Sequence, residues 1–157
     1  MGFSRLMFRL LRKLIKLVLY LAFVAAAVYY TPRILANVLN TEYPLATITS
    51  GSMWPVLKEN DLILVKGMEG SDAEIGQIII FRNAKSFTIH RLIKRETAAD
   101  GKVELVTRGD ANDVDDAPIT EADVIGRVVY LREKPFRIPK AGSFARILGP
   151  KIQQAMQ

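Results

Sequence analysis

Ser52 lies in the turn-like run Ser50-Gly51-Ser52-Met53-Trp54-Pro55, and the chain's single histidine, His90, lies in Phe87-Thr88-Ile89-His90-Arg91-Leu92-Ile93-Lys94. Together they offer a nucleophile and a base. A serine hydroxyl attacks poorly until a neighbour takes its proton, and imidazole, with a reference pKa of about 6.5, can do so near neutral pH. The third element of such chemistry is an acid that orients the ring and stabilises it once protonated. The loop Arg108-Gly109-Asp110-Ala111-Asn112-Asp113-Val114-Asp115-Asp116 holds four candidates. The chain has no cysteine, which excludes a thiolate nucleophile, a cysteine-based zinc site and any disulfide.

Each of these features also has an ordinary structural reading. Ser-Gly-Ser before a proline is common turn material. Alternation places His90 on one strand face with Thr88, Leu92 and Lys94, where it could be a rim histidine. The acidic loop could be a solvated turn or a calcium loop. The EF-hand pattern fails, because Val114 stands where an oxygen ligand is required and Asp115 where glycine is. If the serine is a nucleophile, the Ser50 hydroxyl and the Ser52 N–H are candidate donors for a developing oxyanion.

The elements that must position these groups follow from charge and periodicity. The net charge of +6 is unevenly spread: residues 1–40 carry Arg5, Arg9, Arg12, Lys13, Lys16 and Arg33 and no acid, and the sixteen later cations are matched by sixteen acids. Charge confined to the flank of an apolar segment suits a membrane surface, and no nucleic-acid partner is expected. Residues 17–30 are uncharged, and extension to 14–35 admits only Lys16 and Arg33, which gives the roughly 20 residues that a bilayer core requires. Lys16 can snorkel, and Tyr29, Tyr30 and Arg33 suit the far interface. Pro32 is predicted to end or kink the helix.

Arg5, Arg9, Arg12 and Lys16 share a helical face opposite Phe8, Leu11 and Ile15, which predicts an amphipathic start lying along the membrane before the span turns in. The positive-inside rule then places the N-terminus in the cytoplasm and everything after about residue 36 outside. A cleaved signal peptide ending near Ala25-Ala26-Ala27 is the competing reading. The apolar run exceeds the usual 7–15 residues or so of such a peptide, and bulky Tyr29 and Tyr30 follow, so a retained single-pass anchor is preferred.

Beyond Pro44 short β-rich runs take over, predicted at 45–49, 61–65, 77–81, 87–94, 102–107 and 124–131 and separated by Gly, Asn, Asp and Ser. Closely spaced strands without intervening helices argue for an antiparallel, coiled or barrel-like sheet. After Arg132 the chain is basic and rich in proline, with a short helix predicted over 143–154 and capped by Ser143. The expected organisation is an anchor over 1–38, a β-rich domain over 39–132 and a basic tail over 133–157.

Taken together, the Ser50-to-Pro55 run, His90-Arg91, and Gly109-Asp110 with Asn112 and Asp116 resemble the boxes of type I signal peptidases, and more narrowly those of the archaeal and endoplasmic-reticulum branch. In that family the serine immediately before Met is the nucleophile, which maps onto Ser52, and the preceding serine maps onto Ser50. The bacterial branch has a lysine base followed by Arg, where this chain has His90 followed by Arg91. The resemblance assigns the family's aspartates to Asp116, as partner of the histidine, and to Asp110, as a supporting or alternative partner. Asn60-Asp61-Leu62-Ile63 and Gly76-Gln77-Ile78-Ile79-Ile80-Phe81 are similar to its strand motifs, with Asn60 and Gln77 replacing the usual Gly and Asp and Trp54 standing where an acid is frequent. The resemblance covers residues 15–131.

It implies a mainly β protein with an N-terminal transmembrane helix and a coiled, antiparallel catalytic domain of the signal peptidase type. The implied activity is that of a membrane-bound serine endopeptidase that removes signal peptides from exported preproteins, with no cofactor and no metal. Small residues before the cut call for shallow apolar pockets, for which Ile48, Leu62 and Ile63 are the expected lining. Expected partners are preproteins, the lipid bilayer, and the translocation channel or accessory subunits. The expected location is the cell membrane, or the endoplasmic-reticulum membrane in a eukaryote. Two other readings stay open: a LexA-type serine–lysine autoprotease with Lys94 as base, and a non-catalytic anchored β-domain that binds a partner.

Overall fold

The computed structural model describes residues 2–83, 86–98 and 101–143, and separates into two units, 1–38 and 39–157. The first is one continuous helix, α1 (Gly2–Val38). At 1.5 Å per residue it is about 55 Å long, well beyond the roughly 30 Å of a bilayer core. Its Met7–Val38 stretch is long and apolar enough to cross a membrane. The expected turn between an amphipathic start and the span is not seen, and Pro32 lies inside the helix without ending it. Proline removes one N–H from the ladder. Arg33 folds back next to it, its Nη1 donating to the Tyr29 carbonyl at 2.9 Å with the guanidinium 3.8 Å over the Tyr29 ring.

The second unit is antiparallel β structure. In chain order its strands are β1 (Leu45–Thr47), β2 (Leu62–Gly67), β3 (Ile78–Arg82), β4 (Phe87–Thr97), β5 (Val103–Arg108), β6 (Ile119–Thr120), β7 (Val124–Val128), β8 (Tyr130–Leu131), β9 (Lys134–Pro135) and β10 (Arg137–Ile138). The main sheet runs β1-β2-β7-β3-β4-β5-β6, with β10 also on β2, and β8 and β9 form a separate hairpin. Among the described residues no ladder joins β6 back to β1, so the sheet is open and not a closed barrel. β2 links two parts of it: residues 62–64 pair with β1, and 62–63 also with β10, whereas 65–67 pair with β7.

The continuous apolar run of β3 explains how the sheet is buried. A strand covered on both faces has no polar side to present. Ile78 and Ile80 join a cluster with Ile48, Met53, Leu57, Ile63, Val65 and Val128, while Ile79 and Phe81 join another with Ala73, Leu92 and Leu105. Between them β4 inherits a buried surface on each side, Ile89 packing on the first cluster and Leu92 in the second. Neighbouring His90 is 8% exposed.

Residues beyond Glu133 also join the β structure, through β9 and β10. Asp61, 2% exposed, accepts from the Lys58 N–H at 3.0 Å and from Arg137 Nη1 at 2.8 Å, which fastens β10 to β2. Removing one partner of a buried pair strands the other charge. Water reaches about a third of Arg137, so Arg137→Ala should cost about 2 kcal/mol, the low side for a broken buried pair. The check is a lowered thermal midpoint, partly restored when Asp61→Asn is added. The helix predicted over 143–154 lies outside the described residues from 144 onward.

Candidate active site

The Ser52 turn is built by backbone bonds on both sides. The Trp54 N–H donates to the Gly51 carbonyl at 3.0 Å and the Leu57 N–H to the Met53 carbonyl at 2.9 Å. Met53 then fills the core at 1% exposure, which fixes the turn from below, while Trp54 is left 57% exposed with the Lys58 ammonium 5.9 Å over its ring. Ser52 is half-buried and Ser50 exposed, their hydroxyls 3.1 Å apart. The Ser52 N–H donates to no group among the described residues.

His90 reaches this turn from the middle of β4. Its Nε2 is 3.0 Å from Ser52 Oγ and its Nδ1 is 2.5 Å from Asp116 Oδ2. An ionised carboxylate only accepts, so Asp116 holds the ring proton on Nδ1 and leaves Nε2 free to take the serine proton. The same Asp116 oxygen accepts from Thr107 Oγ1 at 2.7 Å, and the Asp116 N–H donates to the Thr107 carbonyl at 2.8 Å. Thr107, fully buried at the end of β5, therefore fixes the acid that faces the histidine. Sequence reasoning missed it. The only signal was a hydroxyl at a position where strand alternation calls for an apolar side chain.

The acidic loop does not gather its carboxylates at one point. Asp110 receives Arg91 Nε at 2.8 Å and Nη2 at 2.7 Å, a bidentate pair that holds the guanidinium above its ordinary pKa, and Arg91 Nη1 donates to the Gly76 carbonyl at 2.7 Å. Asp115 lies 3.3 Å from Arg108 Nη1 and 3.7 Å from Lys94 Nζ. Asp116 alone reaches His90. Asp110 thus stands one step removed, on the residue next to the histidine, where it secures loop and strand to each other. Lys94, the base that a serine–lysine reading requires, is half-exposed beside Asp115.

Loop and serine turn are also joined through backbone. The Ala111 N–H donates to the Ser52 carbonyl at 2.8 Å. A Cβ on Gly109 would come within 2.6 Å of that same carbonyl oxygen, so the approach requires glycine.

Ser52 and His90 open onto a cleft of about 590 Å³ between residues 43–53 on one side and 86–90 on the other. Ile48, Ala46, Ile80, Ile89 and Ile125 supply apolar lining, and Tyr43 and Phe87, with ring centroids 4.9 Å apart, contribute aromatic surface. Leu62 and Ile63 do not line this cleft. Residues 62 and 63 lie between β1 and β10, and the Ile63 side chain is fully buried in the core. β2 is interior to the sheet, whereas β1 pairs only with β2 among the described residues.

Residues 25–129 match the model of the Peptidase S24-like family. The chain is 30% identical over 130 residues to the signal peptidase complex catalytic subunit sec11 of Pyrenophora tritici-repentis, an overlap of 75% of this chain and 74% of that one. It is 30% identical over 100 residues to SEC11 of Debaryomyces hansenii, covering 62% of this chain and 59% of the relative. For SEC11C of Homo sapiens the figures are 30% over 97 residues, 55% and 50%. Both relatives carry the same description as a signal peptidase complex catalytic subunit. The family match over most of the β unit and the identity across three quarters of both chains make this chain a member of the Peptidase S24-like family and of the type I signal peptidases of the archaeal and endoplasmic-reticulum branch.

Proposed function

We propose that this protein is a membrane-anchored serine endopeptidase that removes signal peptides from exported preproteins, with Ser52 as nucleophile, His90 as general base and Asp116 as the acid that orients it. The observation that carries the reading is the unbroken hydrogen-bond chain from Ser52 Oγ through both ring nitrogens of His90 to Asp116, opening onto an apolar cleft. Ser52 attacks the scissile carbonyl while Nε2 takes its proton, and the imidazolium returns that proton to the leaving amine. Water, deprotonated by the same nitrogen, then hydrolyses the acyl-enzyme.

The cleft suits an extended peptide. The outer edge of β1 is unpaired among the described residues, and residues 87–90 of β4 pair with β3 but not with β5, whose ladder begins at Arg91. A substrate strand lying between these edges would satisfy its backbone on them and place alternate side chains against Ile48, Ile80 and Ile125. α1 would anchor the chain in the membrane, with the basic N-terminus in the cytoplasm and the β unit on the outer or lumenal side. Because its relatives are named as subunits of a complex, accessory subunits are proposed as partners, together with the preprotein, the bilayer and the translocation channel.

The direct test is incubation of the purified full chain, in detergent or lipid, with a preprotein, followed by sequencing of the new N-terminus. Cleavage after small residues by wild type and none by Ser52→Ala supports the reading; no cleavage by wild type, or equal cleavage by both, defeats it. Oxyanion support is proposed from the Ser52 N–H and the Ser50 hydroxyl, which lies 3.1 Å from Ser52 Oγ. Ser50→Ala should therefore lower kcat roughly 10²-fold with KM little changed. A change in KM alone would make Ser50 a substrate contact and not an oxyanion donor.

A further inference from the structure

A second cleft, of about 510 Å³, shares no lining residue with the Ser52 cleft and, among the described residues, bears cations without acids. Lys66 on β2 and Arg127 on β7 are direct cross-strand partners, and both line it together with Arg132, Arg91 and Tyr130. Like charges placed opposite each other across a ladder repel. No carboxylate lines the cleft. Arg91 is already held by Asp110 and the Gly76 carbonyl, whereas Lys66, Arg127 and Arg132 make no ion pair among the described residues. The chain beyond residue 40 has as many acids as cations, so acids for pairing are not in short supply.

Backbone geometry points the same way. The turn between β8 and β9 has Arg132 at φ +59, in the left-handed region, where a two-residue hairpin turn favours glycine or asparagine. A long cationic side chain is thus kept at a position whose conformation disfavours it, in the lining of a cleft that also holds Lys66 and Arg127, which make no ion pair among the described residues.

We propose that this cleft binds a phosphate group. Two guanidinium groups and an ammonium lining one cleft, with no carboxylate among its described lining residues, match an anion with several acceptor oxygens, and guanidinium forks bind phosphate in a bidentate manner. The rim is apolar: Ile75 is 64% exposed and Leu131, between Tyr130 and Arg132, is 67% exposed. Such a rim suits a phosphate that continues into hydrocarbon, as in an anionic phospholipid headgroup; a soluble phosphate ester would use the same cations without it.

The test uses the full chain in detergent. Native mass spectrometry should show phosphatidylglycerol retained in preference to phosphatidylcholine. Lys66→Gln/Arg127→Gln should reduce that retention at least about tenfold, the scale of one lost charge-assisted hydrogen bond. Lys58→Gln, a cation outside the cleft, should leave it unchanged. Added inorganic phosphate separates the two sources: displacement of the lipid by phosphate assigns recognition to the phosphate itself, and lipid loss in the double variant without such displacement assigns it to the membrane headgroup. Arg132→Gly, which suits the left-handed turn, should fold at least as well as wild type and still bind more weakly. No preference for phosphatidylglycerol by wild type, equal retention by wild type and both cleft variants, or equal loss in Lys58→Gln would overturn the proposal.

Discussion

Ser52→Ala and His90→Ala should each reduce preprotein cleavage by about 10⁴-fold or more, and the double variant should be no worse than either alone. The reason is the geometry of one proton. Ser52 Oγ and His90 Nε2 are 3.0 Å apart, so in the proposed mechanism hydroxyl and ring act as a unit, and removing either leaves the other without a partner for the transfer. What survives is substrate binding and whatever the oxyanion donors contribute. Lys94→Ala supplies the contrast. Its ammonium lies beside Asp115, and its loss should change cleavage little. A variant set in which His90→Ala remains active while Lys94→Ala does not would transfer the base to lysine and return the chain to the serine–lysine reading. Single-turnover rates measured with saturating enzyme would separate this loss of chemistry from any loss of binding.

How much of this could be read from the sequence depends on whether local rules or long-range contacts decided each feature. The apolar helix was legible because twenty-odd apolar residues with basic flanks have few other uses. Strands β2, β3, β4, β5 and β7 were legible from their apolar patterning. β6, β9 and β10, two residues each, carry no period to detect, and β10 exists because Arg137 reaches an acid 76 positions away. The departures from the family boxes became intelligible only with backbone angles: Asn60, standing where glycine is usual, has φ +66, a left-handed position that asparagine tolerates better than most residues. Gln77, standing where Asp is usual, bonds Glu74 Oε2 at 3.0 Å and closes the turn before β3.

The candidate site divides along the same line. Residue type and order proposed Ser52, His90 and two aspartates, but could not say which aspartate faces the ring, because Asp110 and Asp116 lie in one loop and differ only in where that loop bends. The bend is set by Gly109 against the Ser52 carbonyl and by the two hydrogen bonds between Asp116 and Thr107. Leu62 and Ile63 were misplaced for a related reason. Alternation identifies which side chains share a face, but an edge strand is defined by partners that lie elsewhere in the chain.

Asp116→Asn should therefore be nearly as damaging as loss of the serine, about 10⁴-fold in kcat, while leaving the fold intact. Asp116 Oδ2 accepts from both His90 Nδ1 and Thr107 Oγ1. An amide nitrogen in its place would donate toward Nδ1, move the ring proton to Nε2 and leave no acceptor for the Ser52 hydroxyl. Turning the amide oxygen toward the histidine would restore the tautomer but would still supply no negative charge to balance the imidazolium. Thr107→Val, which removes one bond to the carboxylate and leaves its charge, should cost only about tenfold. Asp110→Asn should act on stability more than on rate, since Asp110 contacts Arg91 and not the ring: its thermal midpoint should fall and its kcat hold within about tenfold. Measured together, kcat and melting midpoint for these three variants decide the roles. If Asp110→Asn lost as much kcat as Asp116→Asn at an unchanged midpoint, the acid of the proposed triad would have to be reassigned.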